Sequence, residues 1–249
     1  GMMVFDKIET ALEVAQELQE RGITPAALEF EVCAPEATRA AADYHKELYV
    51  KDAEMAIICE VDGNPASVAW EYGQVQEVAR RYARAWRGAD DPPGVKILWE
   101  AIDAIETFSS KVREGAKRSP GGEDICVKID RLPAVLREMQ AIARDNGIGI
   151  VNFGHLGQGN IHSGLLVHMD DPAETEGARR TIEAIHRLAL RERGATTAEH
   201  GVGLVRVPYM VEEHGRALDY MAAVKRVFDP HGILNPGKIW PLPDAPARG

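Results

Sequence analysis

Strand-sized apolar runs alternate with amphipathic helical stretches twice along this chain, on either side of one strong break, Gly88-Ala-Asp-Asp-Pro-Pro-Gly94. That order restricts the fold more than any other feature. Before the break, Ile8, Leu12, Ala15 and Leu18 recur at helical spacing, with Asp6 as N-cap and Gly22 as stop signal. Ala27–Cys33 predicts a strand, Pro35–Lys46 a helix, Glu54–Val61 a buried strand ending in Asp62-Gly63, and Pro65 to Arg87 a long helix. After it come a helix over Ile97–Glu106, a loop over Lys117–Gly122, a strand over Asp124–Ile129 and a helix over Leu132–Arg144. Ile148–Phe153 and Ile161–His168 read as strands joined by a glycine-rich loop, and Pro172–Arg193 and Arg216–Phe228 as closing helices. Two similar rounds of this kind imply an α+β fold, with two ferredoxin-like halves sharing an antiparallel sheet covered by helices. Residues 4–90 form the first half and 95–241 the second.

Composition excludes several classes. A net charge of −10 argues against generic nucleic-acid binding, which needs clustered Lys and Arg against phosphate. No apolar run approaches the roughly 20 residues of a membrane helix. Three widely spaced cysteines, Cys33, Cys59 and Cys126, suit buried thiols in a reducing cytosol better than a disulfide framework or a cysteine zinc site. Val4-Phe5 is too short for a signal-peptide core, so a cytoplasmic location is expected. Gly1 ahead of Met2 reads as the remnant of a cleaved tag, with Met2 as the natural start.

Of the eight histidines, His45, His168, His186, His214 and His231 read as incidental, His186 as a core or boundary residue of a helix. The others stand in two glycine-rich segments, Phe153-Gly-His155-Leu-Gly-Gln-Gly-Asn160-Ile-His162 and Thr197-Ala-Glu199-His200-Gly201-Val-Gly203. A strand–loop–strand hairpin brings His155 and His162 to one end, its glycines permitting the tight turn. Two imidazoles and a carboxylate make a three-ligand metal site with open coordination positions. A structural turn that happens to carry two histidines fits the same spacing. Neither segment completes a dinucleotide-binding fingerprint, and no Walker-type phosphate loop is present.

Phe153–His162, Ala198–Gly203 with Arg206 and Pro208-Tyr209, and Phe228–Ile239 together resemble the C-terminal domain of FAD-linked oxidases in the vanillyl-alcohol oxidase superfamily. Gly22–Glu29 and Ile57–Gly63 extend the resemblance more weakly towards the start. That group includes FAD-dependent D-lactate dehydrogenase, the glycolate oxidase flavin subunit and D-2-hydroxyglutarate dehydrogenase. The resemblance implies a divalent metal, zinc foremost, on His155, His162 and Glu199, with His200 as catalytic base. It implies that a 2-hydroxy acid chelates the metal, loses its hydroxyl proton to His200 and its α-hydrogen as hydride to FAD. Lys128 matches a lysine that touches the substrate carboxylate, a surface lysine at a strand end being the alternative. Asn160 either orients substrate or stabilises the turn, and Asn235 either closes a loop near the flavin or belongs to a C-terminal turn. Glu199 and His200 are adjacent, so the glycines around them must bend the backbone if both serve one site.

The chain also departs from the pattern. Where the family has an arginine clamping the substrate carboxylate it has Ile102, followed by Asp103, and the usual acidic residue of the glycine-rich loop is Gln158. Losing the arginine removes a bidentate carboxylate partner. The flavin-binding domain that precedes this one in the family is absent from the sequence, so FAD is expected on a separate domain or subunit and little turnover from the chain alone. The face that would meet such a partner suits a homodimer as well. A stand-alone metal-binding or interaction module without redox activity is the second reading, and a metallohydrolase using metal-bound water the third.

Overall fold

The computed structural model describes residues 1–34, 37–119 and 124–240. Its centre is one antiparallel sheet with the main order β4-β1-β3-β2-β7-β8-β5, and β6 pairs separately with β8. The first half supplies β1 (Met2–Phe5), α1 (Ile8–Glu20), β2 (Ala27–Val32), α2 (Thr38–Ala41), β3 (Met55–Glu60), α3 (Pro65–Tyr82) and β4 (Ala85–Arg87). Leaving out the short α2, this is a β-α-β-β-α-β unit with its strands in the ferredoxin-like order 4-1-3-2. The second half supplies α4 (Pro92–Ser110), β5 (Lys117–Ser119), β6 (Ile125–Cys126), α5 (Leu132–Asp145), β7 (Gly149–His155), β8 (Asn160–Val167) and α6 (Pro172–Arg191). There β6, β7 and β8 repeat the order, and the place of the fourth strand is taken by a single bridge, Cys126 to Ala195. The halves join where β2 pairs with β7, Glu29 opposite His155 and Glu31 opposite Phe153.

One face of the sheet is packed by α1, α3, α5 and α6 over a core that includes Phe5, Leu18, Phe30, Leu136 and Leu188. α5 shows why such helices form: Pro133 stands in its first turn, where the missing N–H costs nothing, and Leu132, Val135, Leu136 and Met139 fall on one buried stripe. On the other face α2 and α4 cover mainly the first half, with Leu98, Ile102 and Ile105 against Met2, Val4 and Ile58. That face of β7 and β8 carries His155, Phe153, His162 and Gly164, which line open cavities. α7 (Met210–His214) and α8 (Ala217–Phe228) follow, with Val224, Val227 and Phe228 of α8 exposed.

Several expected elements take a different form. The strands β1 and β4 replace, respectively, a segment read only as too short for a leader and the end of a helix expected to reach Arg87. Central pairing, with β1 between β3 and β4, makes strands of residues too few to show a pattern alone. Lys117–Ser119, expected as loop, is the edge strand β5 on β8, while 120–122 lie outside the described residues. Only Thr38–Ala41 is α-helical in the region expected as a helix from Pro35, and Pro35 itself lies outside the described residues. The strand expected over Asp124–Ile129 shrinks to Ile125–Cys126, because a 3-10 turn begins at Ile129. Asp6 does not cap α1; the carboxylate of Glu54 accepts the Ile8 amide instead, at 3.1 Å. Cys59 is buried as expected, but Cys33 and Cys126 are half-buried, and all three are free.

The β7–β8 turn has little tolerance. Gly159 adopts φ +72°, and a Cβ there would sit 2.0 Å from the Val127 carbonyl oxygen. Gly159→Ala is expected to lower the unfolding free energy by about 2–3 kcal/mol, from strained backbone and clash together. Urea melts of the two proteins measure this, and unchanged stability would refute the close approach.

Candidate metal centre

His155 ends β7 and His162 lies in β8, across the hairpin. Phe153 pairs with His162, so the glycine-rich turn folds the later histidine back beside the earlier one. Glu199 enters from the segment after α6. The three donor atoms form a nearly equilateral triangle: His155 Nε2 to Glu199 Oε1 3.2 Å, His162 Nε2 to the same oxygen 3.1 Å, and His155 Nε2 to His162 Nε2 3.3 Å. Donors about 2.0–2.1 Å from a tetrahedral cation stand about 3.3 Å apart, so this triangle has the dimensions of three corners of such a site. The His200 ring stacks on His162 with centroids 5.0 Å apart, and its Nε2 lies 3.6 Å from Glu199 Oε1.

Two residues not singled out from the sequence build this geometry. Glu29, in β2, sets a carboxylate oxygen against His155 Nδ1 in a short contact. A carboxylate on the far ring nitrogen fixes the tautomer and turns Nε2 towards the cluster, as partners of metal-bound histidines do. Burial lowers the His155 pKa, but Glu29 and Glu199 outweigh it and the net shift is upward. His162 is lowered, by burial first and then by His155 and His200.

The second is Asp124, fully buried just before β6 at φ +83°. Its carboxylate accepts the amides of Ala198 (3.1 Å), Glu199 (3.0 Å) and His200 (2.8 Å) and the Thr197 hydroxyl (2.9 Å). Burial raises the Asp124 pKa, yet these donors prevail and it ends below its ordinary value. Arg206 braces the same segment, donating from Nε to the Thr196 carbonyl at 3.0 Å and from Nη1 to that of Gly201 at 3.1 Å. Held this way, the adjacent Glu199 and His200 both present their side chains to the cluster. Asp124, His162, Glu199 and His200 also bring ligand atoms within 4.8 Å of one another. Asp124 is occupied by the backbone amides, which leaves His155, His162 and Glu199 as the donors that could hold a cation.

Other expected site residues lie apart from the triangle. Lys128 is exposed where the chain leaves β6, and it lines neither cavity beside the cluster. Asn160 starts β8 fully buried, and neither of its amide atoms finds a partner among the described residues. Asn235 is exposed at φ +47° in a turn closed by its own side chain and Lys238 Nζ at 2.8 Å. That turn leads Ile239 to donate to the Gly203 carbonyl at 3.0 Å, so the C-terminal segment returns to the loop that bears Glu199. His186 is a core histidine, stacked on Tyr209 with centroids 4.5 Å apart.

Two ferredoxin-like units thus share one sheet, with a His/His/Glu cluster on its partly uncovered face. The chain belongs to the family of FAD linked oxidases, C-terminal domain, whose model matches residues 1–239. It is 30% identical over 190 residues to a protein named probable mitochondrial D-lactate dehydrogenase from Danio rerio, covering 75% of this chain and 37% of that one. It is 26% identical over 242 residues to glycolate oxidase subunit GlcD of Bacillus subtilis, covering 96% of this chain and 50% of that one. The chain thus spans half or less of the length of these relatives. Its fold matches a crystal structure of p-cresol methylhydroxylase with substrate bound at TM-score 0.65 and 14% identity, over 98% of this chain and 53% of that one.

Glu31, two residues along β2 from Glu29, is 6% exposed, and its Oε2 has no partner among the described residues. Burial, reinforced by Glu106, pushes it up to about 9. The unfolded chain releases this proton in the ordinary carboxylate range and the folded chain keeps it, so stability falls as pH rises from about 4.5 to about 9. Glu31→Gln is expected to remove that slope and to stabilise the protein at pH 8 by on the order of 1 kcal/mol or more, with little effect at pH 4.5. Melting curves across this range decide it; a parallel pH profile in the variant contradicts the assignment.

Proposed function

We propose that this chain is the substrate- and metal-binding part of an FAD-dependent oxidoreductase that oxidises a 2-hydroxy acid of the D-lactate, glycolate or D-2-hydroxyglutarate kind. The observation that carries the reading is the triangle of His155, His162 and Glu199 donors, 3.1–3.3 Å on each side, in a chain of this family. Two nitrogens and one carboxylate oxygen with an open position suit a catalytic divalent cation, with zinc the first choice. When bound, the cation would polarise the substrate hydroxyl, and FAD on a separate domain or subunit would take up the hydride.

The chain's own residues have distinct tasks. Glu29 orients His155. Asp124 and Arg206 hold the segment that presents Glu199 and His200. His200, with Nε2 facing the cluster, is placed to take the hydroxyl proton. On α8 and beyond, Val224, Val227, Phe228, Ile233 and Leu234 are exposed, an apolar surface that supports a protein partner. The flavin-bearing domain or subunit is the partner in this reading, and the isolated chain would satisfy the same surface by forming a homodimer. Among the described residues no helix is long and apolar enough to cross a membrane. Three free cysteines suit a reducing, cytoplasmic setting.

Zinc content by mass spectrometry after growth in supplemented medium is expected to approach one ion per chain. It should drop to background in His155→Ala and Glu199→Ala and persist in His200→Ala. Wild-type chain that takes up no divalent cation overturns the metal site. For the redox role, the chain is captured with its partners from its natural host, and flavin absorbance is followed anaerobically as glycolate or D-lactate is added. Bleaching with wild type, and none with His200→Ala, is the expected result. A flavin that bleaches equally in both removes His200 from the reaction.

A further inference from the structure

Ile102 lies on α4, buried against the sheet, and offers nothing to a carboxylate. A cation nevertheless lies beside the cluster, on another element. Arg118, on the edge strand β5, lays its guanidinium over the Phe153 ring at 4.9 Å, and Phe153 in turn lies 5.3 Å from the His162 ring. Arg118, Phe153, His162 and His200 line one cavity of about 370 Å³. The berth depends on a missing side chain: a Cβ on Gly164 would meet Arg118 Nε at 2.4 Å and Nη2 at 3.0 Å. Nη1 donates to Glu106 at 2.6 Å, which steers the guanidinium from one corner of a fork with five N–H donors.

We propose that Arg118 is the anion anchor of this site, binding the carboxylate of a 2-hydroxy acid whose hydroxyl faces the His155–His162–Glu199 cluster. The proposal rests on the function proposed above. Charge distribution sets the direction of the substrate. Glu31, Asp103 and Glu106 line a neighbouring cavity, towards α4, that shares Phe153 and His162 with the first and also includes Ile102 and Trp99. In that wall Glu31 keeps its proton, so the negative charge is that of Asp103 and of Glu106, and Glu106 is already paired with Arg118. A second carboxylate on the substrate would have to enter beside Asp103 and Glu106, where Arg118 is already engaged, which is unfavourable. The site therefore takes 2-hydroxy monocarboxylates and rejects 2-hydroxy dicarboxylates.

Binding, rather than turnover, tests this on the chain as it stands. The zinc-loaded protein is titrated calorimetrically with glycolate and with D-2-hydroxyglutarate, and zinc content is read separately for every variant. Wild type is expected to bind glycolate more tightly than the dicarboxylate. Arg118→Gln should weaken glycolate by about tenfold or more, the cost of one charge-assisted partner, with zinc content and Tm unchanged. Arg118→Lys should lie between the two, since it keeps charge but loses the fork. Gly164→Ala should weaken glycolate while the arginine remains. Zinc uptake with equal glycolate affinity in wild type and Arg118→Gln overturns the anchor and leaves the metal site standing. Equal affinity for both acids overturns the acidic-wall selectivity. A chain that takes up no zinc refutes the function proposed above and this proposal with it.

Discussion

The pairing of β2 with β7 is the joint on which everything else depends. It is the seam between the two ferredoxin-like halves, and its register sets Glu29 opposite His155 and Glu31 opposite Phe153. A slip of one residue would turn Glu29 and Glu31 into the apolar core and bring Leu28 and Phe30 out beside the histidines. The seam also needs Gly154. At φ +148° it stands opposite Phe30, and a Cβ there would lie 2.3 Å from the Asn160 carbonyl oxygen. The same contact that makes one sheet of two units thus supplies the carboxylate that orients a cluster histidine. Each half alone would hold an incomplete site.

How much of this the sequence discloses depends on the range of the interaction. The β7–β8 hairpin, α5 and α6 are legible because their signals are local: glycines at the turn, an apolar stripe, an Asn146-Gly147 stop. The donors His155, His162 and Glu199 are legible as residue types in glycine-rich company, though not their mutual distances. The strands β1, β4 and β5 are not, since each is a few residues long and is made a strand only by its neighbours. Glu29 and Asp124 hide for the same reason. Their partners lie 126 and 76 positions away, at His155 and His200. Glu29 and Glu31 do leave one trace, as carboxylates alternating within an otherwise apolar run, on the face of a central strand that ordinarily would be buried. An acidic residue in that position needs a partner, as Glu29 has, or keeps its proton, as Glu31 does, and the sequence alone does not say which.

Adjacent residues serving one site pose a problem that glycine alone does not solve. In extended chain Glu199 and His200 point apart. Gly201 at φ +79° and Gly203 at φ +54° allow the segment to turn, but permissive backbone is also free to adopt other shapes. What selects this shape is Asp124, whose one carboxylate gathers three successive amides, with Arg206 holding the carbonyls on either side. The arrangement resembles an anion held in a nest of backbone N–H groups, except that the anion is a side chain from another part of the fold. Its burial would favour a neutral acid, and the gathered amides reverse that preference. A buried ionised group is therefore spent on fixing a loop rather than on touching the cluster. That expenditure makes sense where the positions of Glu199 and His200 must be set before any ligand arrives, because a donor triangle with sides of 3.1–3.3 Å tolerates little drift.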